Sequence, residues 1–277
     1  GPDSGLGMTQ TLFCRAEMNY VKGEEPCTLE VDILDGRKHP LPGWEERGFE
    51  LMQHNSAVKD WTDEVQIQQI HYGEIADLAR ELSGCDQALV GSHIKRNPEQ
   101  AKLHEDLAPI TFVHSDFAES YGDMMSEFYA GSSDEAQLDL NSIGISADQF
   151  SNARRLLVLQ FWRNLGPKKI DLPIAFCEAE SVGREELFTF PVTNYAGAGG
   201  LDFDTLGVKA PEGERHNWYT FPELGIDEMV VFRTYDSERV QQRRPFWTPH
   251  SAFRDPSVEL GSPSRASIEL RAICLFL

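Results

Sequence analysis

A chain of 277 residues with 45 acidic and 25 basic side chains carries a formal net charge of −20, and such a surface repels phosphate backbones and anionic lipid, which excludes nucleic acid and membrane surfaces as expected partners. With 40% hydrophobic residues the chain can bury a core of its own, and a core of this size needs no disulfide staples. Five scattered cysteines (Cys14, Cys27, Cys85, Cys177, Cys274) without a C-x-x-C pair point to a reducing, cytoplasmic setting, and no apolar stretch approaches the length of a membrane span.

Gly1–Gly7 (G-P-D-S-G-L-G) reads as a tag remnant and Met8 as the native start, so residues 8–277 are taken as one domain. Thr28–Leu34 alternates apolar and polar residues as a half-buried strand does, and Asp35-Gly36 then supplies a turn. Asp63–Leu82 reads as a helix, with Ile75, Leu78, Ala79 and Leu82 on one face and Ser83-Gly84 ending it. Ala88–Ile94 and Ile110–Asp116 read as strands. Ser146 and Gln149 make a capping box before Phe150, and Arg154–Arg163 reads as a buried strand, with a helix as the alternative over so short a run. After Pro173 come short strand-like segments: Leu187–Val192, Trp218–Phe221, Glu228–Tyr235 and Ser267–Leu277. Between them Tyr195–Gly207 reads as a loop or lid. Short strands separated by Gly and Pro turns predict an all-β core with flanking helices (α+β), built as a jelly roll or barrel.

The chemistry concentrates in two places. His114-Ser115-Asp116 ends an apolar run; in a strand, residues i and i+2 share a face, so His114 and Asp116 can reach one point inside a barrel. His104-Glu105-Asp106 has the same H-x-D form but lies in a polar stretch before Pro109, where a helix end or turn would turn it to water. His250, in F-W-T-P-H-S-A-F, supplies a second imidazole. Two imidazoles and a carboxylate form the facial set that holds Fe(II) and leaves positions open for a co-substrate and O2. The bland reading of His114 is a strand histidine bonded to a neighbouring carboxylate. Downstream, Arg265 and Ser267 suit the distal carboxylate of 2-oxoglutarate, which a guanidinium binds through two parallel bonds. Strand alternation sets Glu269 and Arg271 on the same face. Arg271 therefore competes with Arg265 as the anchor or neutralises Glu269, and a structural salt bridge is open to both arginines. Zinc-hydrolase, P-loop, dinucleotide-binding and nucleophile-elbow signatures do not occur in the sequence.

Several ordered blocks carry a resemblance: F-W-R-N-L-G-P-K-K-I-D-L-P-I-A-F-C-E-A from Phe161, H-N-W-Y-T-F-P-E-L from His216, V-V-F-R-T-Y-D-S from Val230, T-P-H-S-A-F-R-D-P from Thr248 and P-S-R-A-S-I-E-L-R from Pro263. Together they resemble the AsaB-type hydroxylase/desaturase family of fungal secondary metabolism, which includes gibberellin-desaturase-like proteins and is often labelled CmcJ-like. The resemblance implies a double-stranded β-helix (cupin-like) and an Fe(II)/2-oxoglutarate oxygenase that hydroxylates, desaturates or cyclises a small molecule. It aligns the family's V-H-x-D with Val113–Asp116, its T-P-H-x-A-F with Thr248–Phe253, and its P-R-x-S-I-E-x-R with the segment from Arg265. The one departure is Ser264 in place of the family's usual Pro. The resemblance also marks Arg163, Tyr219 and Tyr235 as pocket candidates, with core packing as the competing reading. Substrate and oligomeric state are left open. The rival classes are an Fe(II) oxidase that works without 2-oxoglutarate and a non-catalytic β-helix binding protein.

Overall fold

The strand pattern of the second half dominates the architecture. In the computed structural model, which describes residues 12–39, 42–131, 133–195, 202–259 and 264–277, fourteen strands are found among the described residues. They are β1 (Leu12–Lys22), β2 (Glu25–Asp35), β3 (Phe49–Gln53), β4 (Gln87–Val90), β5 (Ile94–Arg96), β6 (His114–Ser115) and β7 (Arg155–Asn164). The later half adds β8 (Ile174–Cys177), β9 (Leu187–Val192), β10 (Phe203–Val208), β11 (Trp218–Thr220), β12 (Glu228–Asp236), β13 (His250–Ala252) and β14 (Ser267–Phe276). Eight of them form one sheet, ordered β1-β2-β11-β8-β13-β6-β10-β9; the second runs β3-β12-β7-β14-β4, with β5 also on β14. Neighbours are antiparallel except β2 and β11. This is the double-stranded β-helix expected from the sequence. The tag-like Gly1–Gly7 lies outside the described residues.

The smaller sheet is buried on both faces, apolar on the outer one and mixed on the inner one, so β7 reads as a mostly hydrophobic run while β14 alternates in its first half. Leu157, Leu159 and Phe161 of β7, with Leu270, Ala272 and Cys274 of β14, pack outward on Ile75 and Ala79 of helix α1 (Tyr72–Ser83). The opposite faces point between the sheets, where Trp162 and Phe232 meet Phe176. Helix α2 (Tyr121–Ala130) and helix α3 (Asp134–Ser142) close one end of the sandwich through Tyr121, Met125, Tyr129 and Leu140.

The helix expected over Asp63–Leu82 forms, with the Asp63 carboxylate accepting from the amides of Val65 and Gln66 and Gly84 closing it at φ 73°. A π-helical turn, Ile67–His71, interrupts it. The capping box at Ser146 and Gln149 also forms. Three expectations are corrected. Of Ile110–Asp116 only His114–Ser115 is a strand; the rest is held by single bonds, Val113 N–H to Asn19 O and Ala252 N–H to Ile110 O. Ala88–Ile94 divides between β4 and β5, which lie along β14 at different heights. The loop expected over Tyr195–Gly207 is replaced at its end by β10, which pairs with β9 over six positions, while residues 196–201 lie outside the described residues. Gly207 there serves packing rather than a turn: a Cβ would sit 2.2 Å from the Phe188 ring.

One contact ties the amino-terminal elements to the strand that carries His250. Gly48 ends the short helix Trp44–Arg47 at φ 101°, and its carbonyl accepts from Arg233 N–H and from the Thr248 hydroxyl. A Cβ at Gly48 would lie 2.3 Å from Thr248 Oγ1. Gly48→Ala is therefore expected to cost on the order of 2 kcal/mol from backbone strain and displacement of Thr248. A fall in urea midpoint at unchanged denaturant slope would report it, and an unmoved midpoint would show that Thr248 yields freely.

Candidate active site

β6 and β13 are adjacent strands of the larger sheet, and His250 pairs directly with His114. Both imidazoles are buried, with ring centroids 4.3 Å apart. His114 Nδ1 lies 3.0 Å from the Phe112 carbonyl and His250 Nδ1 lies 2.9 Å from the Thr248 carbonyl. A carbonyl can only accept, so each Nδ1 carries the proton and each Nε2 is directed inward. Asp116, just beyond β6, brings Oδ1 to 3.4 Å from both Nε2 atoms. One ligand atom from each of the three residues lies within 4.8 Å of the others, the only such group of three or more His, Cys, Asp or Glu among the described residues. Two neutral-capable nitrogens and one carboxylate oxygen, each oriented from behind, fit a divalent iron on one face. The second H-x-D behaves as its polar context suggests: His104 caps the 3-10 turn Glu105–Leu107.

The three groups set one another's charge. Burial opposes ionisation of Asp116, yet the facing His250 and His114 outweigh it and hold the carboxyl well below its usual range. Burial, reinforced by the charge of His250, lowers His114. Burial would also lower His250, but the Asp116 carboxylate overcomes it and raises that imidazole. A residue that sequence reasoning missed completes the set. Gln160, on β7 of the opposite sheet, donates from Nε2 to Asp116 Oδ2 at 2.7 Å, leaving Oδ1 to the histidines. Its signal was a single amide inside an otherwise apolar run, L-L-V-L-Q-F-W.

Beside this centre lies a cavity of about 920 Å3 lined by His114, Asp116, Gln160, Trp162, Arg265 and Arg271, among others. Arg265 is 4% exposed. Its guanidinium lies over the Trp162 ring at 5.4 Å and gives one bond, 3.2 Å, to the Leu172 carbonyl. Among the described residues no partner reaches its Nε, nor the hydroxyl of buried Ser267. Burial, aided by the charge of Arg96, pulls Arg265 down to about 9 and outweighs the opposing pull of Glu269 and Asp171. Glu269 does not serve Arg265 or Arg271 as an ion-pair partner. It is held by Arg96, at 2.6 Å, whose other amines donate to Tyr195 Oη and to the carbonyls of Asp106 and Ala108.

Three of the pocket candidates lie elsewhere. Alternation along β7 sends Gln160 and Trp162 to the cavity and therefore Arg163 to the outer face. There Arg163 donates to the His54 carbonyl and His54 Nδ1 and lies over the Trp61 ring. Tyr219 donates to Glu178 Oε1 and packs on Phe49. Tyr235 donates to the Glu119 carbonyl and meets the edge of Tyr121. Both tyrosines are buried among these contacts.

A double-stranded β-helix that turns two imidazoles and a carboxylate toward one point, beside a buried arginine, has the build of a non-heme iron oxygenase. The chain belongs to the family described as "Oxidoreductase/YMDC permease-like domain", which it matches over residues 16–275. It is 28% identical over 238 residues, 84% of this chain and 79% of its relative, to "Alpha-ketoglutarate-dependent dioxygenase phiK" of a fungal species. It is 26% identical over 269 residues, 89% and 76% of the two chains, to "Hydroxylase/desaturase CTB9" of Cercospora beticola. Among solved structures, the "iron and alpha-ketoglutarate-dependent endoperoxidase NvfI" superposes with a TM-score of 0.73 at 19% identity, over 96% of this chain and 99% of that one, a likeness of fold. The resemblance drawn from the sequence blocks is thus supported by these relatives.

Two outcomes are expected. Gln160→Leu, which leaves Asp116 Oδ2 unpaired, should weaken Fe(II) binding by roughly 10- to 100-fold, measured by anaerobic competition with a chelator. Because His250 holds its proton more tightly than a free imidazole, metal must displace that proton. Affinity should therefore rise with pH by about tenfold per unit up to the His250 pKa and level off above it. A pH-independent affinity would mean that His250 is not a ligand.

Proposed function

We propose that this chain is a non-heme Fe(II)/2-oxoglutarate-dependent oxygenase that hydroxylates, desaturates or cyclises a small molecule of secondary metabolism. His114, Asp116 and His250 would hold the iron, and Arg265 with Ser267 would grip the distal carboxylate of 2-oxoglutarate. Bound there, iron supplies the oxidative chemistry that couples O2 and decarboxylation of 2-oxoglutarate to succinate with removal of a substrate hydrogen. The observation that carries the reading is the pairing of two features at one cavity: three convergent ligand atoms, and the buried guanidinium of Arg265, whose Nε has no partner among the described residues, with the unpartnered hydroxyl of Ser267 two residues on.

The chain's own groups have three tasks. The Phe112 and Thr248 carbonyls fix the imidazole tautomers, and Gln160 fixes the carboxylate rotamer. Arg265, packed against Trp162 and bonded to Leu172 O, is preorganised, so binding a carboxylate costs little further side-chain entropy. Trp162, Phe232 and Ile174 in the cavity wall exclude water from the reacting centre. Residues 8–277 would act as one catalytic domain, and five free cysteines favour cytosolic residence.

Incubation with Fe(II), ascorbate and 2-oxoglutarate should release succinate above an iron-free control. Arg265→Ala should raise the KM for 2-oxoglutarate by at least about tenfold, the lower range for losing a charge-assisted bond. Turnover that consumes O2 with no succinate would identify an oxidase independent of 2-oxoglutarate, and iron-independent inertness a binding protein.

A further inference from the structure

The cavity contains a second arginine to which the iron and 2-oxoglutarate sites give no role. Arg271 lines it, yet its side chain makes no hydrogen bond or ion pair to any described residue. Its Nε is buried without a partner, and its guanidinium lies over the Phe117 ring at 5.3 Å. The acid that could have neutralised it, Glu269, is taken by Arg96. Leaving a cation without a matching anion inside a pocket is costly; Phe117 supplies a π face, and of Glu135 and Asp139, acids that also line the cavity, the latter accepts from the Tyr129 hydroxyl.

The register sets this cation apart from the end of the strand that follows Arg265. Arg271 stands opposite Gln160, whose amide holds Asp116. Ser267 stands opposite Asn164, four residues or about 13 Å back along the strand. The cavity wall also carries an apolar and aromatic group, Phe117, Tyr121, Met124, Phe128 and Ile273, together with the carboxylates of Glu135 and Asp139. At about 920 Å3 it lies at the upper end of ordinary ligand pockets, roughly 300–1,000 Å3, and far exceeds the needs of a small diacid.

We propose, resting on the oxygenase function, that Arg271 is a substrate-positioning residue and that the substrate is an organic acid: a carboxylate held by Arg271 on a bulky apolar or aromatic body lodged against α2. Two arginines set apart along the cavity wall then divide the carboxylates between them. Arg265 takes the co-substrate, and Arg271 sets the distance between the substrate's charged group and the C–H bond presented to the centre. A neutral analogue of the same shape would leave the Arg271 charge unmet and bind more weakly.

The test uses full-length protein loaded with Zn(II) and 2-oxoglutarate, titrated calorimetrically with 2-naphthoate and decanoate and with their neutral partners 2-naphthamide and decanamide. At least one acid should bind about tenfold or more tighter than its amide. Arg271→Met should abolish that preference while leaving 2-oxoglutarate affinity within about twofold, which also shows that the variant is folded, and Arg271→Lys should restore part of it. Equal binding of acids and amides, or no binding of either, overturns the proposal. So does a loss of 2-oxoglutarate affinity in Arg271→Met, which would make Arg271 the co-substrate anchor. Failure of wild-type protein to bind 2-oxoglutarate at all would instead strike the oxygenase reading.

Discussion

Burying an ionised carboxylate between two β-sheets is the constraint on which the rest of this structure depends. The Asp116 carboxyl, held well below its usual range by the facing imidazoles, is only 16% exposed at its side chain, and a buried carboxylate persists only where its lone pairs are met. The fold meets it from both sheets, with His114 and His250 from one and Gln160 from the other. The histidines are in turn fixed by backbone carbonyls. Thr248, whose carbonyl holds His250, is anchored through its hydroxyl to Gly48. The geometry at the centre is therefore a property of several strands at once.

The two sheets divide the chemistry. The larger one carries His114 on β6 and His250 on β13, strands only two and three residues long, with Asp116 just beyond β6. The smaller one, with long fully paired strands β7 and β14, presents Gln160, Ser267, Glu269 and Arg271 from one face while its other face packs on α1. Charges on that inner face are sorted by whether the protein itself satisfies them. Arg96 and Glu269 neutralise each other and so are structural. Buried Arg265 and half-buried Arg271 have no ion-pair partner among the described residues, and an unmet cation in a cavity is where an anionic ligand gains most.

Much of this was legible in the sequence. The H-x-D triplet, the distant His250 and the R-x-S at the start of the last strand are local patterns, and alternation along Ser267–Leu277 separated the cavity face from the packing face correctly. The long helix and the capping box at Ser146 followed from spacing and caps. What was not legible depends on pairing across the sandwich. Arg163 resembles a pocket residue until Gln160 is placed facing Asp116; a period of two then forces Arg163 outward. β10 was obscured by the small residues around it, because its support comes from β9 and from Phe188 stacked over Gly207. The partner of Glu269 was sought along its own strand and lies on β5 instead. Only the fold brings Arg96 and Glu269 together.

The central claim is that one cavity holds iron through His114, Asp116 and His250 and chelates 2-oxoglutarate beside it. Anaerobic addition of Fe(II) and then 2-oxoglutarate to metal-free protein tests it most directly, read as the visible metal-to-ligand charge-transfer band. The account expects the band to grow to saturation in the wild type and to be absent in Asp116→Ala. Iron that binds without producing the band, or a band of full intensity in Asp116→Ala, would contradict it.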